Sequence, residues 1–313
     1  MITEGDLFIG LCPMLLSLIQ FFGTKPLSDI NPRQLIKQRN RYASRYSQQD
    51  DLIQLISRRL LERLDLVTIE PEIILDLASY DGASSRQLKE RYRSAQVIGC
   101  EPGIELAKLA KQKSGWFKKP GYITALPEQI PVQDNCIDLA VVNLYPVWLT
   151  DVGRLFHEIN RVLTADGLVL FTSMGPDSMM PIRSAWHAAD PDYEHLLPFI
   201  DMHDIGDALT RTGFHNIVME NEPLTIEYSS IDSLHDDLRL TAHANLSPAR
   251  RRGLLGKQRY QAYLDALENA KQPNLNITYD MVFGHGWKGI KQPKHAINAI
   301  PDQFESIPIK SLD

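Results

Sequence analysis

Residues 73–82 read Ile-Ile-Leu-Asp-Leu-Ala-Ser-Tyr-Asp-Gly, a short apolar run that passes directly into a turn. A run of this length, bounded by a turn, predicts a buried strand. A second run, 96–101 (QVIGCE), ends in Glu101. In nucleotide-binding α/β folds the first turn lets a ligand approach the backbone, and an acid ending the second strand accepts hydrogen bonds from ribose hydroxyls. Asp76 and Glu101 therefore predict a nucleotide-binding edge, although a generic turn with a solvated glutamate fits these two features equally well.

Short apolar runs alternate with amphipathic segments on both sides of this stretch. Residues 152–163 carry apolar side chains with the i, i+3, i+4, i+7 spacing of a helix, and 104–113 have an apolar side at helical spacing. The predicted strands of this part are 73–78, 96–101, 122–125, 137–144 and 167–174. Strands that alternate with helices indicate an α/β fold with a parallel sheet.

The pattern changes after Met174, where helical segments outnumber strands. Helices are predicted at 178–189, 203–212, 231–244 and 257–270, and strands at 217–228 and 276–287. The strand candidate 276–287 closes the part of the chain that is expected to be ordered.

The composition is that of a globular chain. Of 313 residues, 43% are hydrophobic and 23% charged, and the net charge is −6. A mildly acidic chain of this kind is a poor general binder of nucleic acid. The three cysteines, Cys12, Cys100 and Cys136, have no metal-ligand or disulfide spacing, so we predict no metal site and a reducing, cytoplasmic location.

Both ends of the chain depart from this pattern. Residues 7–22 are apolar but are interrupted by Pro13, Ser17 and Gln20, so they fall short of a membrane span. We expect residues 1–30 to be an extension that is disordered or results from a start codon placed too early. Residues 31–288 are expected to form the functional domain, and 289–313 a disordered tail without periodicity. The oligomeric state is left open.

Several motifs between Asn31 and Lys288 resemble one enzyme family. The matching segments are RNRYASRY (39–46), ILDLASYDG (74–82), VIGCEP (97–102), VNLYPVW (142–148), EINRVLTADGLVLFTSMGPDS (158–178), IRSAW (182–186), FIDMHDIGDAL (199–209), GLLGKQRYQA (253–262) and ITYDMVFGHGW (277–287). They are similar to the malonyl-acyl-carrier-protein O-methyltransferases of early biotin synthesis, which belong to the S-adenosylmethionine-dependent methyltransferases. The central segments occur in many methyltransferases, whereas IRSAW and the last segment are more particular to this family.

The resemblance implies a fold and a set of site residues. The fold is a Rossmann-like, seven-stranded, mostly parallel sheet with helices on both faces and a helical cap drawn mainly from 178–270. S-adenosylmethionine is the implied cofactor. Its binding residues would be Tyr46, Asp76, Ala78, Gly82, Glu101 and Asn143. Asn143 would also lie beside the sulfonium and the acceptor.

The glycine motif of the family is altered in this chain. Where the family has G-x-G-x-G, the chain has Ala78, Tyr80 and Gly82. A tyrosine at the second position is the larger change, because that position lacks a side chain in the family and often needs a conformation that glycine adopts most easily. Tyr80 could turn its ring away, at some cost in strain, or fill the methionine pocket. We favour the first hypothesis, since the substrate-side motifs persist.

The acceptor side is predicted from basic residues. Arg183, in IRSAW, is the second catalytic candidate beside Asn143, because arginine binds planar carboxylates through two hydrogen bonds and could position a malonyl carboxylate; a surface arginine is an equal alternative. A basic run could attract the acidic acyl carrier protein, or could merely be solvated. Its members are Arg250, Arg251, Arg252, Lys257 and Arg259.

Two other functions stay open at this point. The chain could be a different S-adenosylmethionine-dependent protein-modifying enzyme, since a mitochondrial complex I assembly factor shares parts of the pattern. It could also be a pseudo-methyltransferase that keeps the fold as an interaction module, which the altered glycine motif favours.

Overall fold

The computed structural model describes residues 8–9, 32–43, 51–115, 119–240, 245–247, 249–271 and 274–289. They form one eight-stranded sheet in the order β1-β4-β3-β2-β5-β6-β8-β7. The strands are β1 (Phe8–Ile9), β2 (Ile73–Leu77), β3 (Gln96–Cys100), β4 (Gly121–Ile123), β5 (Ile137–Val142), β6 (Leu163–Met174), β7 (Phe214–Tyr228) and β8 (Leu275–Lys288). The helices are α1 (Pro32–Tyr42), α2 (Asp51–Glu62), α3 (Ala83–Arg91), α4 (Ile104–Lys113), α5 (Gly153–Val162), α6 (Met180–Ala189), α7 (Met202–Arg211), α8 (Ile231–Leu240) and α9 (Lys257–Asn269).

The predicted α/β class and mostly parallel sheet are confirmed. The five strands β4, β3, β2, β5 and β6 run parallel, and β8 enters antiparallel between β6 and β7. The eighth strand, β1, is two residues long and pairs antiparallel with β4 at the sheet edge. It comes from the predicted N-terminal extension, whose other residues lie outside the described part of the chain, as does the predicted tail beyond Gly289.

Strand order decides where the site lies. The chain passes from β2 outward to β3 and β4 and then returns to β5 on the other side of β2. Ligands of open α/β sheets bind at such a reversal, beyond the carboxyl ends of the strands. The ends of β2, β3 and β5 carry the turn at 78–82, Glu101 and Asn143, so the fold brings these predicted site residues to one edge.

The amphipathic pattern explains how the sheet is covered. In α5, Leu155, Phe156, Ile159 and Val162 are buried, as their helical spacing predicts. Phe156 packs edge-to-face on Phe171 of β6 with ring centroids 5.1 Å apart. The helix thus buries one apolar stripe against the parallel strands.

The region 178–270, predicted as a helical cap, contains helices with two different structural roles. Helix α7 packs on β7 and α5, so it belongs to the main α/β body. Helices α6 and α9 pack on each other, with Trp186 stacked on Tyr263 at 3.8 Å between ring centroids. No helix within the described ranges is long and apolar enough to cross a membrane.

Candidate functional site

The turn after β2 adopts the backbone of a glycine-rich turn although only one of its three positions is glycine. Ala78, Tyr80 and Gly82 have φ values of 55°, 50° and 77°. For residues other than glycine this left-handed conformation costs about 1–2 kcal/mol each. Gly82 is required for a second reason, since a Cβ there would collide with the Tyr122 hydroxyl and lie 2.9 Å from the Ala110 Cβ. The turn therefore keeps its shape at the expense of strain at Ala78 and Tyr80.

Asp76 is fully buried beneath the turn. Its Oδ2 accepts hydrogen bonds from the hydroxyls of Ser84 (2.6 Å) and Ser85 (2.5 Å) in the first turn of α3. Its Oδ1 is buried with no hydrogen-bond partner among the described residues. Burial raises the pKa of Asp76 to about 6, against the opposing effect of the two serine hydroxyls. One carboxylate oxygen is thus left to accept a further donor.

A small cavity lies between α2 and the turn. The space inside it that a water-sized molecule can enter measures about 10 Å³, and Ser57, Ser79, Tyr80 and Asn143 are among its lining residues. The hydroxyls of Ser57 and Ser79 are buried without a partner in the described part of the chain. Ligand pockets usually measure roughly 300–1,000 Å³. The cavity therefore provides polar groups for a ligand but little room for a whole nucleoside.

Glu101 is the most heavily bonded side chain at this edge. Its carboxylate is completely buried and accepts from Arg39 Nε and Nη2, both at 2.7 Å. It also accepts from the backbone N–H groups of Tyr80 (3.0 Å) and Gly103 (2.9 Å). Arg39 reaches Glu101 from α1 and was not among the predicted site residues, although it is the first residue of the RNRYASRY segment.

The hypothesis that the Tyr80 ring turns away from the ligand stays a prediction, and the structure buries the ring at this edge of the sheet. It is 5% exposed and lies beneath Arg39, whose guanidinium carbon is 4.2 Å from the ring centroid. Burial raises the pKa of the Tyr80 phenol. The ring therefore packs at the Glu101 end of the site and provides an aromatic face for the guanidinium.

Asn143 follows β5 at the same edge and is 2% exposed. Its Oδ1 accepts from the Thr172 hydroxyl at 2.8 Å, and that hydroxyl accepts from the Leu144 N–H at 2.8 Å. Thr172, on neighbouring β6, was also missed from the sequence. The two bonds fix the orientation of the Asn143 amide, which lines the cavity.

Arg183 projects from α6, in the cap. Its Nε donates to the Ser178 carbonyl at 3.1 Å and its Nη2 to the Leu197 carbonyl at 2.8 Å. Burial lowers the pKa of the guanidinium. No carboxylate of the described residues lies within ion-pair distance of Arg183. Arg183 is thus a half-buried cation that still has N–H groups to donate. Its segment follows β6, beyond the edge of the sheet that carries Asn143.

The predicted basic run divides into structural and exposed members. Arg251 donates to Asp190, a buried carboxylate, at 2.9 and 2.5 Å, and Arg250 donates to Gln34 of α1 at 2.9 Å. Hydrogen bonds from Arg251 lower the pKa of Asp190 to about 2. Arg251 is thus bonded inside the cap and Arg250 is bonded to α1, and the proposal that these two residues attract a partner stays a prediction.

The other three members of the run reach the surface. Arg259 is half exposed, and its Nε lies 3.4 Å from Asp190 Oδ1. Arg252 and Lys257 are exposed and have no ion-pair partner within the described ranges. Tyr46, the remaining predicted cofactor residue, lies outside the described residues, so its role stays a prediction.

The residues at this edge offer several of the groups that a nucleoside carrying a methionine requires. The unpartnered Asp76 Oδ1 and the Ser57 and Ser79 hydroxyls suit a charged, polar end such as an amino-acid group. The left-handed turn permits close approach of a ligand to the backbone. Glu101 suits a ribose, but Arg39 already donates to both of its carboxylate oxygens. The site fits the group provided that Arg39 moves.

The order of the sheet, the turn after β2 and the acid after β3 define the class as the Rossmann-like, S-adenosylmethionine-dependent methyltransferases. A family model described as a methyltransferase domain matches residues 75–171. The YcgJ protein of Bacillus subtilis shares the fold, with a TM-score of 0.54 at 15% identity, over 74% of this chain and 99% of that one.

Two curated relatives narrow the class to one family. The malonyl-[acyl-carrier protein] O-methyltransferase of Gallionella capsiferriformans is 36% identical over 74% of this chain and 82% of that protein. The malonyl-[acyl-carrier protein] O-methyltransferase 1 of Coxiella burnetii is 37% identical over 74% and 79%. The chain belongs to the malonyl-[acyl-carrier protein] O-methyltransferase family and is an S-adenosylmethionine-dependent methyltransferase.

Proposed function

We propose that the protein transfers a methyl group from S-adenosylmethionine to the free carboxylate of a malonyl thioester carried by acyl carrier protein. The observation that carries this proposal is Arg183, a half-buried guanidinium with no carboxylate of the described residues within ion-pair distance. A malonyl thioester ends in a carboxylate, which such a guanidinium binds in a planar, two-bond geometry. The substrates named for the relatives support the same acceptor.

The reaction explains why no acid–base pair is needed in the site. A carboxylic acid with an ordinary pKa of about 4 is ionised at neutral pH, so it is already a nucleophile. S-adenosylmethionine, when bound, supplies an electrophilic methyl group on its sulfonium. Asp76, Ala78, Gly82 and Glu101 would hold that cofactor, and the fixed amide of Asn143 would orient the reacting groups. Their contribution is alignment and exclusion of water.

The proposal is tested by mass spectrometry of the carrier. Malonyl-acyl carrier protein incubated with the enzyme and S-adenosylmethionine should gain the mass of one methyl ester, whereas acetyl-acyl carrier protein, which lacks a free carboxylate, should not change. Calorimetry with S-adenosylhomocysteine provides the second measurement. No detectable binding at millimolar ligand would contradict the methyltransferase activity itself, and binding without malonyl methylation would contradict only the acceptor.

The carrier would dock on a surface formed by Arg252, Leu254 and Lys257. All three residues are exposed, Leu254 at 96%. The neighbouring Arg250 bonds to Gln34 of α1, the helix that also carries Arg39. Two free cations around an exposed apolar side chain complement an acidic partner with an apolar contact. Arg250 and Arg251 are excluded from the surface because their guanidiniums are bonded within the protein.

Reversing the charge of this surface should affect the carrier-bound substrate selectively. The double variant Arg252→Glu/Lys257→Glu is expected to slow association with malonyl-acyl carrier protein at least tenfold and to reduce its salt dependence, because exposed charges act mainly on encounter. Stopped-flow association at several salt concentrations measures this effect. Methylation of a small malonyl thioester without the carrier is the control, and an equal loss on both substrates would contradict the docking surface.

The enzyme is proposed to act in the cytoplasm, where acyl carriers and reduced thiols coexist. Cys100 and Cys136 are both free thiols, as a reducing compartment requires.

A further inference from the structure

We propose that Arg39 is a latch on the cofactor site: it occupies the carboxylate of Glu101 that binds the cofactor ribose, and it must be displaced before the cofactor can bind. The latch consists of Arg39, Tyr80 and Glu101. This inference rests on the proposed role of Glu101 in holding the ribose.

The acceptor capacity of Glu101 is the first argument. A carboxylate offers about four lone-pair sites, and Glu101 uses four of them. Two accept from the N–H groups of Tyr80 and Gly103, which the backbone of the turn and of the β3–α4 connection fixes in place. The other two accept from Arg39 Nε and Nη2. A ribose diol would also bring two donors, so it and Arg39 compete for the same positions.

Tyr80 is the second argument, because it gives the guanidinium a binding face inside the site. Arg39 is completely buried and its guanidinium lies over the Tyr80 ring. Such a ring stabilises a desolvated cation through its quadrupole. The family motif has glycine where this chain has Tyr80, and glycine offers no such face. The tyrosine that departs from the motif thus favours the closed position of Arg39.

The contacts of α1 show which interactions would have to break when Arg39 is displaced. Besides Arg39, two residues tie α1 to the rest of the protein: Gln34 accepts from Arg250 at 2.9 Å, and Asn40 Oδ1 accepts from the Glu105 N–H at 3.0 Å. Leu35 supplies a buried apolar contact. These two bonds join α1 to the segment at Arg250 and to α4, so withdrawal of α1 would break them without breaking a strand pairing of the sheet that carries Glu101 and the turn.

The first test measures S-adenosylhomocysteine binding by calorimetry. Arg39→Met keeps the length of the side chain but removes both donors, so it should bind at least tenfold more tightly than wild type. Arg41→Met is the matched control, since Arg41 is exposed on the same helix, and it should bind as wild type does. A folded Arg39→Met that binds equally or more weakly overturns the latch and leaves the proposed function intact. If neither wild type nor variant binds, both the latch and the proposed function fail.

A second test fixes Arg39 in its closed position with an engineered disulfide, so it does not depend on the stability of Arg39→Met. A Cβ at Gly103 would lie 3.0 Å from Asn40 Oδ1 and 3.2 Å from the Arg39 Cβ, so residue 103 faces α1 at Asn40, and a cysteine pair at 40 and 103 is designed to bridge α1 to the β3–α4 connection. The oxidised Asn40→Cys/Gly103→Cys protein should lose S-adenosylhomocysteine binding, and reductant should restore it. Equal binding by the oxidised and reduced forms overturns the latch.

Discussion

Glu101→Ala is expected to lower the free energy of unfolding by about 3–5 kcal/mol, the cost of leaving one partner of a buried ion pair uncompensated. The variant removes the carboxylate that compensates the completely buried guanidinium of Arg39. It also removes the acceptor of two backbone N–H groups. Equilibrium unfolding in urea measures the effect. A loss below about 1 kcal/mol would contradict the burial of the Arg39–Glu101 pair.

A double-variant cycle separates the pair from the remainder of the site. Arg39→Met/Glu101→Gln should lose much less stability than the two single losses added together, because neither charge is left alone. In the Arg39→Met background, Glu101→Gln should weaken S-adenosylhomocysteine binding by about 1.5–3 kcal/mol, the scale of a hydrogen bond to a charged group. Unchanged affinity there would remove Glu101 from the ribose site, whatever its role in stability.

The parallel strands could be predicted because burial on both faces produces apolar runs that need no knowledge of the partner strand. β2 and β5 lie within one to two residues of the predicted runs 73–78 and 137–144. β6 begins at Leu163, four residues before the predicted 167. The difference lies at Asp166, whose φ of 59° bends the chain between Leu163 and Leu168, where the pairing with β5 shifts register.

Helices α1 to α3 were not predicted, and with them the partners of the site residues were missed. The pattern of apolar residues treats arginine as a surface residue, yet Arg39 is buried in α1. Its partner, Glu101, lies 62 positions further along the chain, and Asp190 and Arg251 are 61 positions apart. Local spacing cannot show which distant charges meet. It therefore predicted the edge that carries Asp76, Glu101 and Asn143 but not the side chains that hold them.

Arg183→Leu should lower kcat/KM for malonyl thioesters by about 10²–10⁴-fold. The loss corresponds to two hydrogen bonds to a charged group at about 1.5–3 kcal/mol each, and about 1.36 kcal/mol changes a rate tenfold. Arg183 has the capacity for this, because the bonds to the Ser178 and Leu197 carbonyls use two of its five donors. Steady-state kinetics with a malonyl thioester measures the effect.

The same guanidinium bonds two carbonyls of the cap, so the test must distinguish binding of the acceptor from support of the fold. Arg183→Lys keeps the positive charge but cannot present a planar pair of donors, and its kcat/KM should lie between wild type and Arg183→Leu. Affinity for S-adenosylhomocysteine should be unchanged in both variants, since Arg183 is assigned to the acceptor and not to the cofactor. If Arg183→Leu loses cofactor affinity and activity together, its role is structural. If it retains kcat/KM within about threefold of wild type, a change of roughly 0.7 kcal/mol, the malonyl carboxylate is held by other groups.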